Sequence, residues 1–323
     1  MPGLTRRRAG RGWSYFDAHG ERIRDRDEID RLNAVGLPPA YADCWFSPAA
    51  NGHILATGID AKGRKQYRYH PDFRAMRESE KFDATAAFGN LLPLVRKRVE
   101  SDLRSRSLTR EKAIASVVRL LDTAMIRVGN EHYSKCNGSF GATTLRMRHV
   151  KVKGGALRLR FKAKSGRICE MTVTDRGLVR FVKRMQDLPG QHLFQYLDDD
   201  RVPCPIQSGD VNDYLRETMG EDFTAKNFRT WHASVIAFQA IAEARGALTM
   251  KALMEEVSGR LGNTPAIARK SYVHPAVLGL LDCQAGFRAG LRLPRKTRWM
   301  TRYERALVRF LEEGARGTLV GNA

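Results

Sequence analysis

Apolar and polar positions alternate in short runs over the first 78 residues. Trp13-Ser14-Tyr15-Phe16 precedes the turn Ala18-His19-Gly20, and Gln66-Tyr67-Arg68-Tyr69 follows Ala61-Lys62-Gly63. With Cys44-Trp45-Phe46 and His53-Ile54-Leu55-Ala56-Thr57, punctuated by Pro48 and Asn51-Gly52, these runs predict short strands interrupted by one helix over Asp25 to Val35. The polar stretch Arg77-Glu78-Ser79-Glu80-Lys81 has little apolar content and reads as a linker. The expected division is a β-rich N-terminal domain over 1–78, a linker over 79–83 and a larger domain over 84–323.

Beyond Phe82 the period becomes helical. Ile114, Val117, Leu121 and Met125 recur at spacings of three and four, so Thr109 to Arg127 predicts a helix with one buried stripe that ends near Gly129. The period then drops to two. Leu145, Met147 and His149 alternate before the turn Lys153-Gly154-Gly155, and Leu157, Leu159 and Phe161 alternate after it. Cys169, Met171 and Val173 repeat the pattern after Lys164-Ser165-Gly166-Arg167, completing a predicted three-stranded antiparallel meander. Helical spacing returns at Leu178, Phe181, Val182 and Met185 with Asp175 as N-cap, then over Lys226 to Arg245 and Met250 to Leu261. Thr264-Pro265 starts a short helix that carries Tyr272, and Leu307, Phe310 and Leu311 predict a further helix near the C-terminus. The fold class is α+β: a small β-rich domain and a larger, mostly helical one with a three-stranded antiparallel sheet.

Charge changes the picture from fold to partner. The 323 residues carry 56 Lys plus Arg against 35 Asp plus Glu, a net charge of +21, so a polyanion is the expected ligand. The string Arg6-Arg7-Arg8 with Arg11 reads as a mobile basic tail. Apolar runs such as Ile236 to Ala242, broken by Gln239, are too short to cross a bilayer, and the N-terminus lacks an apolar signal core. Five widely spaced cysteines without a C-x-x-C pair argue against a disulfide framework or a zinc site, which fits a cytoplasmic protein. No phosphate-binding G-x-x-x-x-G-K-S/T loop, strand-coupled G-x-G-x-x-G or H-E-x-x-H is present, and the acidic residues form no D-x-D-type cluster. No cofactor and no nucleotide is expected.

Four segments carry candidate chemistry: R-V-G-N-E at Arg127 to Glu131, F-K-A-K-S-G-R at Phe161 to Arg167, K-N-F-R-T-W-H-A-S at Lys226 to Ser234, and L-G-N-T-P-A-I-A-R-K-S-Y-V-H-P at Leu261 to Pro275. Together, in this order, they resemble the catalytic boxes of type IB DNA topoisomerases, most closely the compact bacterial and poxvirus-like members. L-P-P-A-Y-A-D-C-W at Leu37 to Trp45 and G-R-K-Q-Y-R-Y-H at Gly63 to His70 are similar to that family as well, so the resemblance spans roughly 10–285. It implies the catalytic fold shared by tyrosine recombinases and type IB topoisomerases, acting as a monomer on double-stranded DNA in association with the nucleoid. The implied reaction nicks one strand through a 3′-phosphotyrosyl intermediate, lets the duplex rotate and reseals it without ATP or a required metal.

The residue types suit that reaction. Attack on an anionic phosphodiester needs cations where charge gathers, and the planar, permanently charged guanidinium forks of Arg127 and Arg229 fit two oxygens at once. By the resemblance, Tyr272 is the nucleophile and Lys164 the hairpin lysine that protonates the leaving 5′-oxygen. Asn263 stands where poxvirus-type members carry His; an amide can donate a hydrogen bond to a phosphoryl oxygen but cannot titrate. The resemblance places Gln66, Tyr67 and Tyr69 on a strand in the major groove, with Lys62, Arg64, Lys65 and Arg68 on phosphates as the N-terminal domain closes over the duplex. Lys226 and His232 are further candidate DNA contacts.

Taken singly, each feature has a plainer reading. Tyr272 alone would be a half-buried core tyrosine, Arg127 a charge at a helix C-terminus, Lys164 a solvated turn lysine and His232 a packed histidine. Trp231, Phe238 and the N-terminal aromatics read as core. The rival function is a tyrosine recombinase or integrase-like strand-transfer enzyme, which would show H-x-x-R where this chain has Lys226-x-x-Arg229, and a helical N-terminal domain. A noncatalytic basic DNA binder would satisfy the charge alone.

Overall fold

The computed structural model describes residues 2–188 and 190–320, with side chains as far as 314. The chain divides into two compact units, 1–81 and 82–323.

In the first unit, strands β1 (Leu4–Ala9), β2 (Gly12–Phe16), β3 (Ala42–Phe46), β4 (Ile54–Ile59) and β5 (Lys65–Tyr69) form an antiparallel sheet in the order β2-β1-β3-β4-β5. Helix α1 (Arg26–Ala34) is capped by Asp25, whose carboxylate accepts from the Asp27 backbone N–H, and it buries Leu32. Tyr15, Phe46, Leu4, Leu37 and Ala56 complete this small core. Arg6, Arg7 and Arg8 lie in β1 rather than in a mobile tail. Alternation explains the difference. Arg6 points inward, stacks 4.0 Å from the Trp13 ring centre and donates to the Leu37 and Pro38 carbonyls, while pairing of the strand with β2 satisfies the backbone.

Helix α2 (Pro71–Arg104) runs through residues 79–83, so the expected linker is helical. Arg, Glu and Lys are good helix formers, and Arg77 pairs with Glu80 one turn on; a shortage of apolar residues marked an exposed stretch of helix, not a break.

The second unit continues with α3 (Arg110–Ala124), capped by the Thr109 side chain, and α4 (Glu131–Asn137). Strands β6 (Val150–Lys153), β7 (Ala156–Lys162) and β8 (Ile168–Val173) form the three-stranded antiparallel sheet. Its first strand begins at Val150, later than the alternation from Leu145 suggests, because Met147–His149 is a 3₁₀ turn in which His149 accepts from the Arg146 backbone N–H. The two-residue turn Gly154-Gly155, with both φ angles positive, fixes the register by pairing Lys153 with Ala156. The remaining elements are α5 (Arg176–Gln186), a short hairpin of β9 (Gln195–Leu197) and β10 (Pro203–Pro205), α6 (Ser208–Met219), α7 (Ala225–Glu243), α8 (Met250–Leu261), α9 (Pro265–Ser271), α10 (Pro275–Gly279), α11 (Gln284–Gly290) and α12 (Arg302–Val320). α7 is apolar nearly all round, and burial of Phe228, Trp231, Ala233, Ala237, Phe238 and Ile241 makes it the central rod of the larger core. Leu307 and Leu311 of α12 are buried in the same core. Among the described residues, no helix is long and apolar enough to cross a membrane.

Candidate active site

Each of the four segments lies where one element ends or another begins. α3 stops at Ala124 because Met125 adopts a left-handed conformation, φ 54°, which turns the chain before Arg127. Gly129, φ 97°, then lets the strand-like stretch double back, and the Arg127 and Val128 carbonyls accept from the Ala142 and Thr143 N–H groups at 2.8 and 2.7 Å. Arg229 stands in the second turn of α7, 3% exposed. Its guanidinium donates to the Met125 and Leu261 carbonyls, the latter at 3.0 Å, and so ties the end of α3 to the end of α8.

Asn263 lies between two capped helix ends. Gly262, φ 65°, closes α8, and the Thr264 hydroxyl accepts from the Ile267 N–H to start α9. The Asn263 side-chain oxygen accepts from Arg127 Nη2 at 2.8 Å and from Arg229 Nη2 at 2.9 Å, so one amide aligns both guanidiniums. Its Nδ2 is buried without a hydrogen-bond partner, as is Arg229 Nε. Such orphan donors cost about 1–3 kcal/mol each until an acceptor arrives.

Tyr272 ends α9. Val273 behind it is fully buried, and Ser234 of α7 bonds the Tyr272 carbonyl at 3.5 Å and the His274 N–H at 3.0 Å. The ring lies 4.9 Å from the Arg229 guanidinium carbon. Burial alone would raise the phenol, but the charges of Arg229 and Arg127, a hydrogen bond from Arg229 and the charge of exposed Lys226 outweigh it and hold its pKa below the ordinary 10.0. Burial and then Arg127 likewise lower Arg229, against the pull of Tyr272.

Arg127, Arg229, Asn263 and Lys164 line one open cavity of about 300 Å³, with Phe140, Phe161 and Cys169 among the other walls. No carboxylate lines it, and among the described residues none pairs with Arg127, Lys164 or Arg229. Tyr272 is outside the lining and adjoins it through Arg229. Lys164 opens the tip between β7 and β8 and has no hydrogen-bond or ion-pair partner among the described residues.

The structure separates the other candidates. His232 lies outside the cavity: one turn past Arg229 on α7, its Nε2 meets Asp122 at 2.9 Å, in a buried cluster with Arg96 and Glu304. Arg64 and Gln66 both bond the Asp60 carboxylate, which their contacts hold well below the usual carboxylate range. Arg68 donates to the Gly36 carbonyl at 3.0 Å. Lys65, Tyr67 and Tyr69 share the other face of β5; the two exposed tyrosine rings stack at 6.0 Å, with Lys65 Nζ 5.8 Å from the Tyr67 ring centre. One charged residue of the cavity was not singled out in the sequence. Arg167 lines the cavity and donates to the Asn263 carbonyl at 2.8 Å. Its only signal was membership of the Phe161 to Arg167 segment, where an exposed arginine after a turn looks solvated.

Comparison with known proteins gives a consistent picture. A model of the eukaryotic DNA topoisomerase I catalytic core matches residues 70–277, and one of the bacterial DNA topoisomerase IB N-terminal domain matches residues 12–60. The DNA topoisomerase 1B of Acanthamoeba polyphaga mimivirus is 32% identical over 289 residues, covering 84% of this chain and 85% of that protein. The DNA topoisomerase I of Monkeypox virus is 25% identical over 268 residues, 80% of this chain and 83% of its own. The DNA topoisomerase 1 of Mycosarcoma maydis is 27% identical over 202 residues, 55% of this chain but 19% of its own.

Proposed function

Since the chain belongs to the type IB DNA topoisomerases, we propose that Tyr272 attacks a backbone phosphorus of duplex DNA bound against the Arg127, Arg229 and Asn263 cluster. The observation that carries this reading is a pair of guanidiniums sharing the Asn263 oxygen beside the Tyr272 ring, with no carboxylate among the described residues to neutralise them. Two cations held without a counter-ion are costly unless an anion completes the site, and a phosphodiester supplies it.

The steps follow from the groups. Arg127 and Arg229 bind the non-bridging oxygens, where charge builds as the phosphorus becomes five-coordinate, and the spare Asn263 Nδ2 donates to one of them. The same cations favour the phenolate as the Tyr272 oxygen–phosphorus bond forms. The phosphorus–O5′ bond breaks, and Lys164 gives its proton to the leaving oxygen. A 3′-phosphotyrosyl ester retains the bond energy, so attack by the 5′-hydroxyl after rotation restores the strand without ATP. Lys226 adds positive field at the phosphates, and the exposed face of Lys65, Tyr67 and Tyr69 in the first unit offers stacking and charge to DNA. All these groups come from one chain, so it would act as a monomer, in the cytoplasm with the nucleoid.

Negatively supercoiled plasmid incubated in EDTA without ATP should relax to a ladder of topoisomers. Tyr272→Phe should bind the plasmid yet neither relax it nor leave a covalent protein–DNA adduct; relaxation by that variant would remove Tyr272 from the reaction.

A further inference from the structure

Among the described residues, one side-chain hydrogen bond ties the tip that carries Lys164 to the rest of the cavity, while the Phe140 N–H holds the end of β7 through the Lys162 carbonyl at 2.8 Å. Ala163 to Arg167 connects β7 to β8, with Ser165 and Gly166 at φ 63° and 76°, and the Ala163 N–H closes the turn on the Arg167 carbonyl at 2.7 Å. Those bonds shape the turn but do not fix where it lies over the cavity. The Arg167 guanidinium does: it crosses to the Asn263 carbonyl at 2.8 Å, on the residue whose side-chain oxygen aligns Arg127 and Arg229. Lys164 is three residues away at the exposed tip, on a flexible four-carbon stem without a partner of its own among the described residues.

We infer that Arg167 is a positioning residue for the proton donor: its bond to the Asn263 carbonyl docks the β7–β8 tip so that Lys164 Nζ meets the departing 5′-oxygen. The inference rests on the reading of Lys164 as that donor. Proton transfer needs heavy atoms within hydrogen-bond reach, and a misplacement of about 1 Å can cost about 100-fold in rate. A tip anchored only at its strand ends, by the Lys162 carbonyl and the β7–β8 pairing, would sample positions from which Lys164 does not reach. In the step at issue the Tyr272 oxygen–phosphorus bond forms and the phosphorus–O5′ bond breaks. The phenolic proton leaves to solvent, and O5′ takes its proton from Lys164.

A leaving group that needs no proton separates positioning of the donor from every other role. Single-turnover cleavage is measured for wild type, Arg167→Ala, Arg167→Lys and Lys164→Ala on two duplexes, one ordinary and one with sulfur in place of the bridging 5′-oxygen, which departs as a thiolate. Arg167→Ala should cut the ordinary duplex about 10- to 100-fold more slowly. It should cut the sulfur duplex at the wild-type rate, with DNA affinity and Tm unchanged. Arg167→Lys, able to make one bond to the same carbonyl, should fall between. If Arg167→Ala is slowed equally on both duplexes while Lys164→Ala is rescued by sulfur, Arg167 acts through Asn263 or the fold and the inference is wrong. An unslowed Arg167→Ala also overturns it. If Lys164→Ala itself is not rescued, the donor assignment falls first, and the role of Arg167 with it.

Discussion

Tyr272 is held between opposing effects: an apolar setting that favours the neutral phenol and two guanidiniums that favour the anion. The cations win because Arg229 is itself buried and its charge is poorly screened. Removing Arg229 leaves the burial and removes the larger charge, so in Arg229→Ala the Tyr272 pKa should climb toward or past the ordinary 10.0. Difference ultraviolet titration of each protein against its Tyr272→Phe counterpart reads the shift. The sign carries over to stability: with the folded value below the unfolded one, ionisation of Tyr272 stabilises the wild-type fold as pH rises through the folded value, fully so above about 10. Cleavage by Arg229→Ala should fall about 100- to 1,000-fold, the usual cost of losing one preorganised charge donor. Tyr272, Arg229 and Arg127 could be proposed from the sequence because the four segments that contain them resemble, in order, the boxes of a known family. Arg167 and the double use of the Asn263 oxygen could not, because residue type does not reveal which way a guanidinium reaches.

Among the elements, the turn after α3 packs backbone to backbone against Gly141. A Cβ added at Gly141 would lie 2.5 Å from the Gly129 nitrogen and 2.6 Å from the Arg127 carbonyl, atoms that cannot give way as a flexible side chain can. Gly141→Ala should therefore push the Arg127 segment outward and lower cleavage at least about 10-fold with little change in DNA affinity, since about 1.4 kcal/mol of lost alignment is enough. Cleavage within twofold of wild type would show that the segment relaxes freely. Helix starts were the most legible elements, since Asp25, Thr109, Asp175 and Thr264 all cap as their residue types suggest, whereas α3 stops at Ala124, short of the end expected near Gly129, because Met125 turns left-handed. The first strand of the meander was not legible, because alternation of Leu145, Met147 and His149 is equally compatible with two short 3₁₀ turns. Only the Gly154-Gly155 hairpin selects Val150–Lys153.

Across the larger unit, four helices meet in one charged cluster. Arg96 of α2 donates to Asp122 of α3 and Glu304 of α12, His232 of α7 bonds Asp122, and the Trp231 indole N–H reaches Glu304 at 3.3 Å. This cluster gives the C-terminal segment a place in the molecule, fixing α12 to the helix that bears Arg229. It also accounts for His232, which anchors α7 to α3 one turn beyond Arg229. Burial opposes ionisation of Asp122 and Glu304, but Arg96 and the hydrogen bonds hold both below their ordinary values of 3.8 and 4.5. Their stabilising contribution is thus complete above about pH 4.5 and is lost as pH falls through the lower folded values. Arg96→Met should leave two buried carboxylates without their main cation, cost about 3–5 kcal/mol in urea unfolding at pH 7 and move the acid transition to higher pH. An unchanged acid midpoint would show that Arg96 does not set these ionisations.

The amino-acid sequence by itself determined the periods that make strands and helices, several helix starts, the basic charge and the order of the candidate segments. These depend on neighbours a few residues apart. Tertiary structure alone decided that Arg127 and Arg229 share one amide oxygen 136 and 34 residues away, that Arg6 is stacked within a sheet, and that His232 belongs to a structural cluster. A side chain's partner is set by which distant backbone packs against it, and local propensities of a few tenths of a kcal/mol carry no information about that choice.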